Sequence, residues 1–143
     1  MTEININDYN CDNINDYVIT DTIRLVKETP LQLAINNNCS IDILDNLLRK
    51  GADINKGKVM NEVYQNQCPL SNAIKRSMGE PFIKWFLDNN ADINHIETSL
   101  WYTPLDYLIN NKTYTPVDKE NIKKLLLKNN AKTFMDIRIP DYR

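Results

Sequence analysis

The sequence has few of the residues on which phosphate loops and metal sites depend. Its three glycines are isolated from one another, so it has no glycine-rich loop to bind a phosphate. It contains one histidine, His95, and three cysteines without a CxxC pair: Cys11, Cys39 and Cys68. A structural zinc ion needs about four clustered Cys or His ligands. We therefore expect no metal, no cofactor and no catalytic residues.

Long apolar segments and an excess of basic charge are also absent. No apolar run reaches the roughly 18 residues of a membrane-spanning helix, and the first residues lack the basic start and apolar core of a signal peptide. A formal net charge of −2 argues against a dedicated binder of nucleic acid or of anionic membranes. The odd, sparse cysteines suit a reducing compartment. We expect a soluble, cytoplasmic chain whose partner is another protein.

Basic residues are missing from the N-terminal segment in particular. Residues 1–23 contain five acidic side chains and no lysine or arginine, whereas residues 24–143 contain 17 basic and 14 acidic side chains. This asymmetry has two interpretations. The segment steers a basic partner toward this end of the chain, or it is a solvated polar lead-in to the fold.

Asparagine and isoleucine, in contrast, are abundant, with 21 and 17 residues. Both have AT-rich codons, so the bias predicts an AT-rich genome, such as that of a virus, an intracellular bacterium or a protist. For a virus or an intracellular parasite, the expected location is the host cytoplasm.

Two linked motifs recur three times in the same order, which is the strongest signal in the sequence. A Pro-Leu-x-x-x-Ile motif begins at Pro30, Pro69 and Pro104, and a motif that ends in Asn-Ala or Gly-Ala follows each copy. From the proline to that alanine is 22 residues in the first two copies and 27 in the third. We therefore expect an insertion of five residues around 110–115.

Each motif predicts one helix of a pair. Thr29 and Thr103 precede a proline, as an N-cap precedes a first-turn proline, and Thr115 starts the last helix in the same way. The second helices are predicted at 41–50, 81–89 and 116–128. Their expected core residues are Ile43, Leu44, Leu47, Leu48, Phe82, Ile83, Phe86, Leu87, Ile122, Leu125, Leu126 and Leu127, and Trp85 is expected to pack.

The ends of these helices share a second set of features. Gly51, Asn90 and Asn130 occupy one equivalent position, where each residue tolerates a positive φ. Asp53 and Asp92 recur after it, and we expect them to bond the backbone of a turn rather than to act as an acid/base pair. Helices this short are marginal alone, so each pair needs a stacked neighbour.

These motifs resemble the ankyrin repeat family. Residues 29–34 resemble its TPLHLA helix start, and residues 47–55 resemble its LLLxxGADVN ending, although Gln32, Ser71 and Asp106 replace the usual histidine. The resemblance covers residues 28 to about 134 and is degraded in the third copy. It implies an all-α, ankyrin-type solenoid of about three helix-turn-helix repeats with projecting β-turn fingers. We expect a single domain. Residues 1–27 would form an N-terminal cap, with a capping helix over 14–26 and Val18, Ile23 and Val26 covering the first unit. Repeats would follow at 28–67 and 68–102, and residues 103–143 would contain the third repeat and a C-terminal cap.

The resemblance also implies a function. Ankyrin repeats bind proteins through finger loops and a concave helix face, so we expect a non-catalytic adaptor or inhibitor that is a monomer on its own. The fingers would be residues 55–67 and 94–102, with these candidate contact residues: Met60, Tyr64, Gln65, His95, Trp101 and Tyr102. Trp101 and Tyr102 have an alternative role in packing the finger onto its neighbour.

Two other functions stay open at this stage. One is a small protector of the immunity or antitoxin type, which a neighbouring toxin gene would favour. The other is an enzyme that pairs His95 with Cys11, Cys39 or Cys68. Cys39 is expected in the turn between two helices, and Cys68 at a helix start, where a thiol can be acidified. No third orienting residue is suggested by the spacing.

Overall fold

The computed structural model describes residues 5–60 and 63–138, except for the side chains of Ile6 and of residues 63–66. The helices in this part of the chain are a 3₁₀ helix at Ile6–Asp8, α1 (Pro30–Asn36), α2 (Ile41–Arg49), α3 (Pro69–Lys75), α4 (Glu80–Asp88), α5 (Pro104–Asn110), α6 (Pro116–Lys128) and α7 (Phe134–Arg138). The strands are β1 (Val18–Asp21), β2 (Val26–Glu28), β3 (Lys58–Met60) and β4 (Val63–Gln67). The chain divides into two compact units, Met1–Pro69 and Leu70–Arg143.

The first unit combines a helix pair with a four-stranded antiparallel sheet in the order β1-β2-β3-β4. β2 precedes α1 and β3 follows α2, and the two strands pair with Val26 opposite Met60 and Lys27 opposite Val59. Val26 and Glu28 are buried. Glu28 also accepts a hydrogen bond from the Asn36 side chain at 2.9 Å. The hairpins before and after this helix pair therefore form one sheet, and one of its faces is buried.

The predicted capping helix over residues 14–26 is wrong, because the segment forms the β1–β2 hairpin. The strand β1 begins with three β-branched residues in succession, which favour a pleated strand. Asp21 accepts hydrogen bonds from the backbone of the following turn, at 3.0 Å from the Ile23 nitrogen. Ile23 is 93% exposed at the tip, whereas Val26 is buried. The apolar spacing suggested a helix, but the pairing of β2 with β3 decided the structure.

The predicted helix pairs are confirmed, with bounds within two residues of those expected from the sequence. Thr29 caps α1, and its side chain accepts from the Gln32 nitrogen at 3.3 Å. Thr103 forms a capping box with Asp106, in which each side chain accepts from the other residue's backbone. Thr115 caps α6, and its side chain accepts from the Asp118 nitrogen at 3.1 Å. Each of these cap bonds joins residues three positions apart in the sequence.

The helix stops are confirmed as well. φ is 96° at Gly51, 62° at Asn90 and 66° at Asn130. In all three copies the next alanine nitrogen donates to a carbonyl five residues earlier, at 3.0 Å. This is the Schellman geometry, which satisfies a free carbonyl at the helix end. The aspartate that follows the alanine bonds the backbone of the turn, as predicted. Asp53 and Asp92 each accept a hydrogen bond from the backbone nitrogen two residues later.

The inserted segment joins α5 to α6 within the second unit. The Asn111 side chain donates to the Ile74 carbonyl and to the Ser77 hydroxyl, both at 3.0 Å. The Tyr114 hydroxyl donates to the Met78 carbonyl, and burial raises the pKa of this phenol. The insertion is therefore bonded to the segment between α3 and α4. In the same unit α4 packs against α6, so the second helices of successive pairs are neighbours.

An asparagine side chain connects successive turns in each unit. The Asn15 amide donates to the Gly51 carbonyl at 3.0 Å and accepts from the Asp53 nitrogen at 2.7 Å. Asn94 makes the same pair of bonds in the second unit, to the Asn130 carbonyl at 3.1 Å and from the Lys132 nitrogen at 2.7 Å. Sequence analysis missed this role, although the Ile-Asn ending of the motif is visible at residues 14–15.

We expect Asn94→Ala to lower the free energy of unfolding by about 1–3 kcal/mol, because it removes two hydrogen bonds and leaves a carbonyl and an N–H without a protein partner. Urea unfolding followed by tryptophan fluorescence measures this unit, since Trp85 and Trp101 both lie in it. Asn121→Ala is the matched control, because Asn121 is exposed on α6. Equal midpoints for both variants would show that the amide bridge contributes nothing to stability.

Candidate functional site

The second predicted finger, residues 94–102, is a short turn in the second unit. Glu97 and Tyr102 form an isolated antiparallel bridge, with the Glu97 nitrogen donating to the Tyr102 carbonyl at 2.8 Å. Between them Trp101 has φ of 56°. A bulky side chain seldom adopts this backbone conformation, and such strain is concentrated at functional sites. The turn thus holds an indole in a conformation that a glycine would adopt more easily.

The Trp101 side chain lies on the surface beside the start of α7. It is 54% exposed, and its ring centroid lies 5.4 Å from that of Phe134. The Arg138 guanidinium lies over the Phe134 ring, 5.9 Å from its centroid. Leu100 and Met135, next to these rings in the chain, are 54% and 58% exposed. We call the three residues that are in contact, Trp101, Phe134 and Arg138, the Trp101 patch: a partly exposed aromatic surface with one cation.

Phe134 is fixed in this patch by hydrogen bonds that the sequence analysis missed. The Asp106 carboxylate accepts from the Phe134 nitrogen at 2.8 Å and from the Thr103 nitrogen at 3.0 Å. Thr133 and Asp136 repeat the reciprocal bonds of a capping box at the start of α7. The visible signal was Thr-x-x-Asp, present at 103–106 and again at 133–136. Asp106 therefore ties two helix starts together.

Tyr102 faces the interior of the same finger. Its ring packs edge-to-face on Tyr107, with centroids 5.2 Å apart. The Tyr107 hydroxyl donates to the Glu97 carboxylate, which is buried and also accepts from the Ser99 hydroxyl at 2.6 Å. These contacts favour the packing role for Tyr102. They leave Trp101 as the more exposed aromatic side chain of the finger.

The remaining predicted contact residues are distributed over both units. His95 is half-buried in the second unit, near the start of the same finger. Met60 is half-buried on β3 of the first unit, opposite Val26. Tyr64 and Gln65 lie on β4, and their side chains are outside the described residues. The structure thus brings His95, Trp101 and Tyr102 into one finger and places Met60 on the other.

Two of the three cysteines considered for a Cys–His site, Cys39 and Cys68, are buried. Burial raises the pKa of the Cys39 thiol to about 11, so this thiol stays protonated near neutral pH and is a weak nucleophile. The Cys68 residue is only 1% exposed, at the start of α3. Cys11 is exposed, and none of the three forms a disulfide. Burial therefore argues against the use of Cys39 or Cys68 as a nucleophile. Among residues 5–60 and 63–138 no group of three His, Cys, Asp or Glu side chains is placed to hold a metal ion.

Comparison with known families locates one of these helix pairs. The described segment from the end of β2 through α1 and α2 to the start of β3 has the capped start, the positive-φ stop and the following hairpin. Residues 27–58 match the family model of the ankyrin repeat. This match confirms the resemblance over the first ankyrin repeat, and ankyrin repeats generally serve as protein–protein interaction modules. Comparison with curated proteins gives no match. None of the helices in the described ranges is long and apolar enough to cross a membrane.

Proposed function

We propose that the chain is a non-catalytic protein-binding module, an adaptor or inhibitor that acts by covering a surface of its partner. Two observations support this function. Residues 27–58 match a family that generally mediates protein–protein interaction. The second unit also exposes the Trp101 patch, in which Trp101 and Arg138 belong to residue types enriched at interfaces.

The single observation that carries the proposal is the conformation of Trp101. Its backbone has φ of 56° and its side chain is 54% exposed. A positive φ costs an L-residue roughly 1–2 kcal/mol relative to glycine. The ring contact with Phe134 offsets part of this cost. A partner that covers the indole would supply the remaining compensation.

The partner in this proposal is another protein, and the chain is a monomer on its own in the cytoplasm. The proposed contact residues are Trp101 at the centre, with His95 and Tyr102 in the same finger. Met60, Tyr64 and Gln65 belong to the finger of the first unit. The net charge of −2 favours neither nucleic acid nor an anionic membrane as the partner.

We expect Trp101→Gly to reduce partner binding by about 10-fold or more, as loss of an interface tryptophan commonly does. Stability should stay nearly unchanged, because glycine relieves the positive φ while the ring contact with Phe134 is lost. The test is quantitative affinity capture from the native cell or host with the wild-type chain and the variant as baits, followed by mass spectrometry. Captured candidates are then titrated against both purified chains.

Val117→Ala is the control, because Val117 is 69% exposed in the same unit but belongs to α6. Binding that is retained by Val117→Ala and lost by Trp101→Gly supports the patch as the contact surface. Equal capture by all three baits would rule out the patch. Unfolding of Trp101→Gly by circular dichroism would instead assign the indole to the core.

A further inference from the structure

The exposed large apolar side chains of the first unit are concentrated on one hairpin. Within the part of Met1–Pro69 that the structure describes, they are Tyr17, Ile19, Ile23 and Leu25, with exposures of 37%, 56%, 93% and 44%. All four lie on or next to the β1–β2 hairpin. Exposed apolar residues scattered singly need no explanation, but a concentration of them marks an interaction surface.

The same hairpin presents an open edge of the sheet. β1 is the terminal strand of the order β1-β2-β3-β4, so its only partner among the described residues is β2. Alternate backbone N–H and C=O groups of such a strand point away from the sheet and can pair with an additional strand. Ile19 lies in one cross-strand row with Lys27 and Val59. Since side chains alternate, this row is on the opposite face from the buried Val26 and Glu28.

The irregularity of β1 limits what can pair with it. The register shifts between Ile19 and Asp21, which places a bulge at Thr20. A bulge twists and shortens a regular edge, which is how sheet proteins avoid indefinite edge-to-edge pairing. The geometry therefore suits a short extended segment rather than a long strand.

The sequence segment that contains the hairpin is acidic. Residues 5–28 carry five acidic and two basic side chains, for a net charge of −3. Asp21 pairs with Arg24 at 3.8 Å, whereas Asp8, Asp12 and Asp16 have no ion pair with any residue that the structure describes. The second basic residue is Lys27, beside Ile19 in the sheet.

Three further cations approach this segment from outside the range. The Lys50 ammonium donates to the Tyr9 carbonyl at 2.8 Å, and Lys58 lies opposite Glu28 in the sheet. The Lys56 ammonium donates to the Asn15 carbonyl at 2.7 Å and stands 4.5 Å from the centre of the Tyr17 ring. The Lys50 and Lys56 ammonium groups are thus already bound. The first unit as a whole keeps an acidic excess, because Met1–Pro69 contains ten acidic and six basic side chains, for a net charge of −4. A second copy of the chain would bring another acidic hairpin to the same place, and like charges would oppose that pairing. A basic partner is favoured instead.

We propose that the free edge of β1 binds an extended segment of a partner protein, which adds as a short fifth strand. The segment carries a β-branched or aromatic residue beside Ile19 and lysine or arginine at its ends. Main-chain hydrogen bonds supply affinity, and the apolar row and the aspartates supply selectivity. The proposal rests on the proposed role in protein binding, but not on the Trp101 patch, which belongs to the other unit.

The test uses the full chain as bait in a selection from a displayed library of random nonapeptides. We expect enriched peptides to alternate β-branched or aromatic residues with polar ones and to carry basic ends. A synthetic copy of an enriched peptide is then titrated by fluorescence anisotropy. Methylation of its alternate backbone nitrogens should weaken binding by about 10-fold or more, because a methylated nitrogen cannot donate to the edge.

The variant Ile19→Lys tests the same edge from the protein side. Ile19 is 56% exposed, so the fold should tolerate the change while the charge repels a basic peptide. The matched control is Leu127→Lys, since Leu127 is 49% exposed on α6. Trp101→Gly should also bind the peptide normally, which separates this proposal from the Trp101 patch. Bound peptide should slow hydrogen exchange at β1 amides.

Several results would overturn the proposal. They are a selection without enrichment, an enriched peptide that binds Ile19→Lys as tightly as the wild type, and a methylated peptide that binds as well as its parent. Sedimentation could also reveal a dimer that Ile19→Lys dissociates. That result would assign the edge to a second copy and contradict a basic partner.

Discussion

Phe86→Ala is expected to lower the free energy of unfolding by about 3–5 kcal/mol, because it removes a large buried ring and leaves a cavity that the core fills only in part. Phe86 is completely buried on α4, and its ring packs edge-to-face on Trp85 with centroids 5.0 Å apart. A small protein has a total stability of roughly 5–15 kcal/mol. This single change would thus remove a large share of it.

The measurement is urea unfolding followed by two signals. Tryptophan fluorescence reports the second unit, which contains Trp85 and Trp101, while circular dichroism reports the helices of the whole chain. Phe82→Ala is the control, because Phe82 is only half-buried on the same helix and should cost about 1–2 kcal/mol in proportion to its burial. An equal loss for both variants would contradict a core centred on Phe86.

The helix pairs were predictable because their boundaries depend on local sequence. Threonine followed by proline starts α1, α5 and, at Thr115, α6, and the residue after each second helix adopts a positive φ at Gly51, Asn90 and Asn130. Each of these signals acts within a few residues of its own position. A reader of the sequence therefore needs no knowledge of tertiary contacts to place these helices.

The first hairpin was not predictable in the same way, since a strand needs a partner. β2 pairs with β3, about 30 residues further along the chain, and that partner decides against a helix at 14–26.

The burial of the three successive leucines on α6 was also overestimated from the sequence. Leu125, Leu126 and Leu127 are consecutive, yet only Leu126 is fully buried and Leu127 is 49% exposed. Three successive residues of a helix span about 200° and cannot all face one core.

The candidate site was predictable by residue type but not by geometry. The sequence indicated Trp101 and Tyr102 together, and the structure exposes the first and packs the second against Tyr107. Trp101 also has a positive φ, a backbone conformation that the sequence does not predict for tryptophan. Phe134 was missed because its position depends on Asp106, 28 residues earlier in the chain.

The close approach around Gly57 also lies outside what the sequence suggests. Gly57 is buried ahead of β3, and its carbonyl accepts from the Thr29 nitrogen at 3.0 Å. A Cβ at this position would lie 2.4 Å from the Gln67 carbonyl oxygen and 3.0 Å from Oε1 of the buried Gln32. The first contact is to backbone, so a side-chain rotation cannot relieve it. The residue is glycine because the two strands of the hairpin have no space for a methyl group there.

We therefore expect Gly57→Ala to lower the free energy of unfolding by about 3 kcal/mol or more, at the upper end of the cost of overpacking. Circular dichroism in urea measures this, because the change is in the unit without tryptophan. Gly79→Ala is the matched control: its Cβ would have no neighbour closer than 3.6 Å and its φ is −64°, so the change should cost less than about 1 kcal/mol. If Gly57→Ala were as stable as Gly79→Ala, β4 could move away from this position freely. The sheet that also carries the β1 edge would then be far less rigid than its hydrogen bonds indicate.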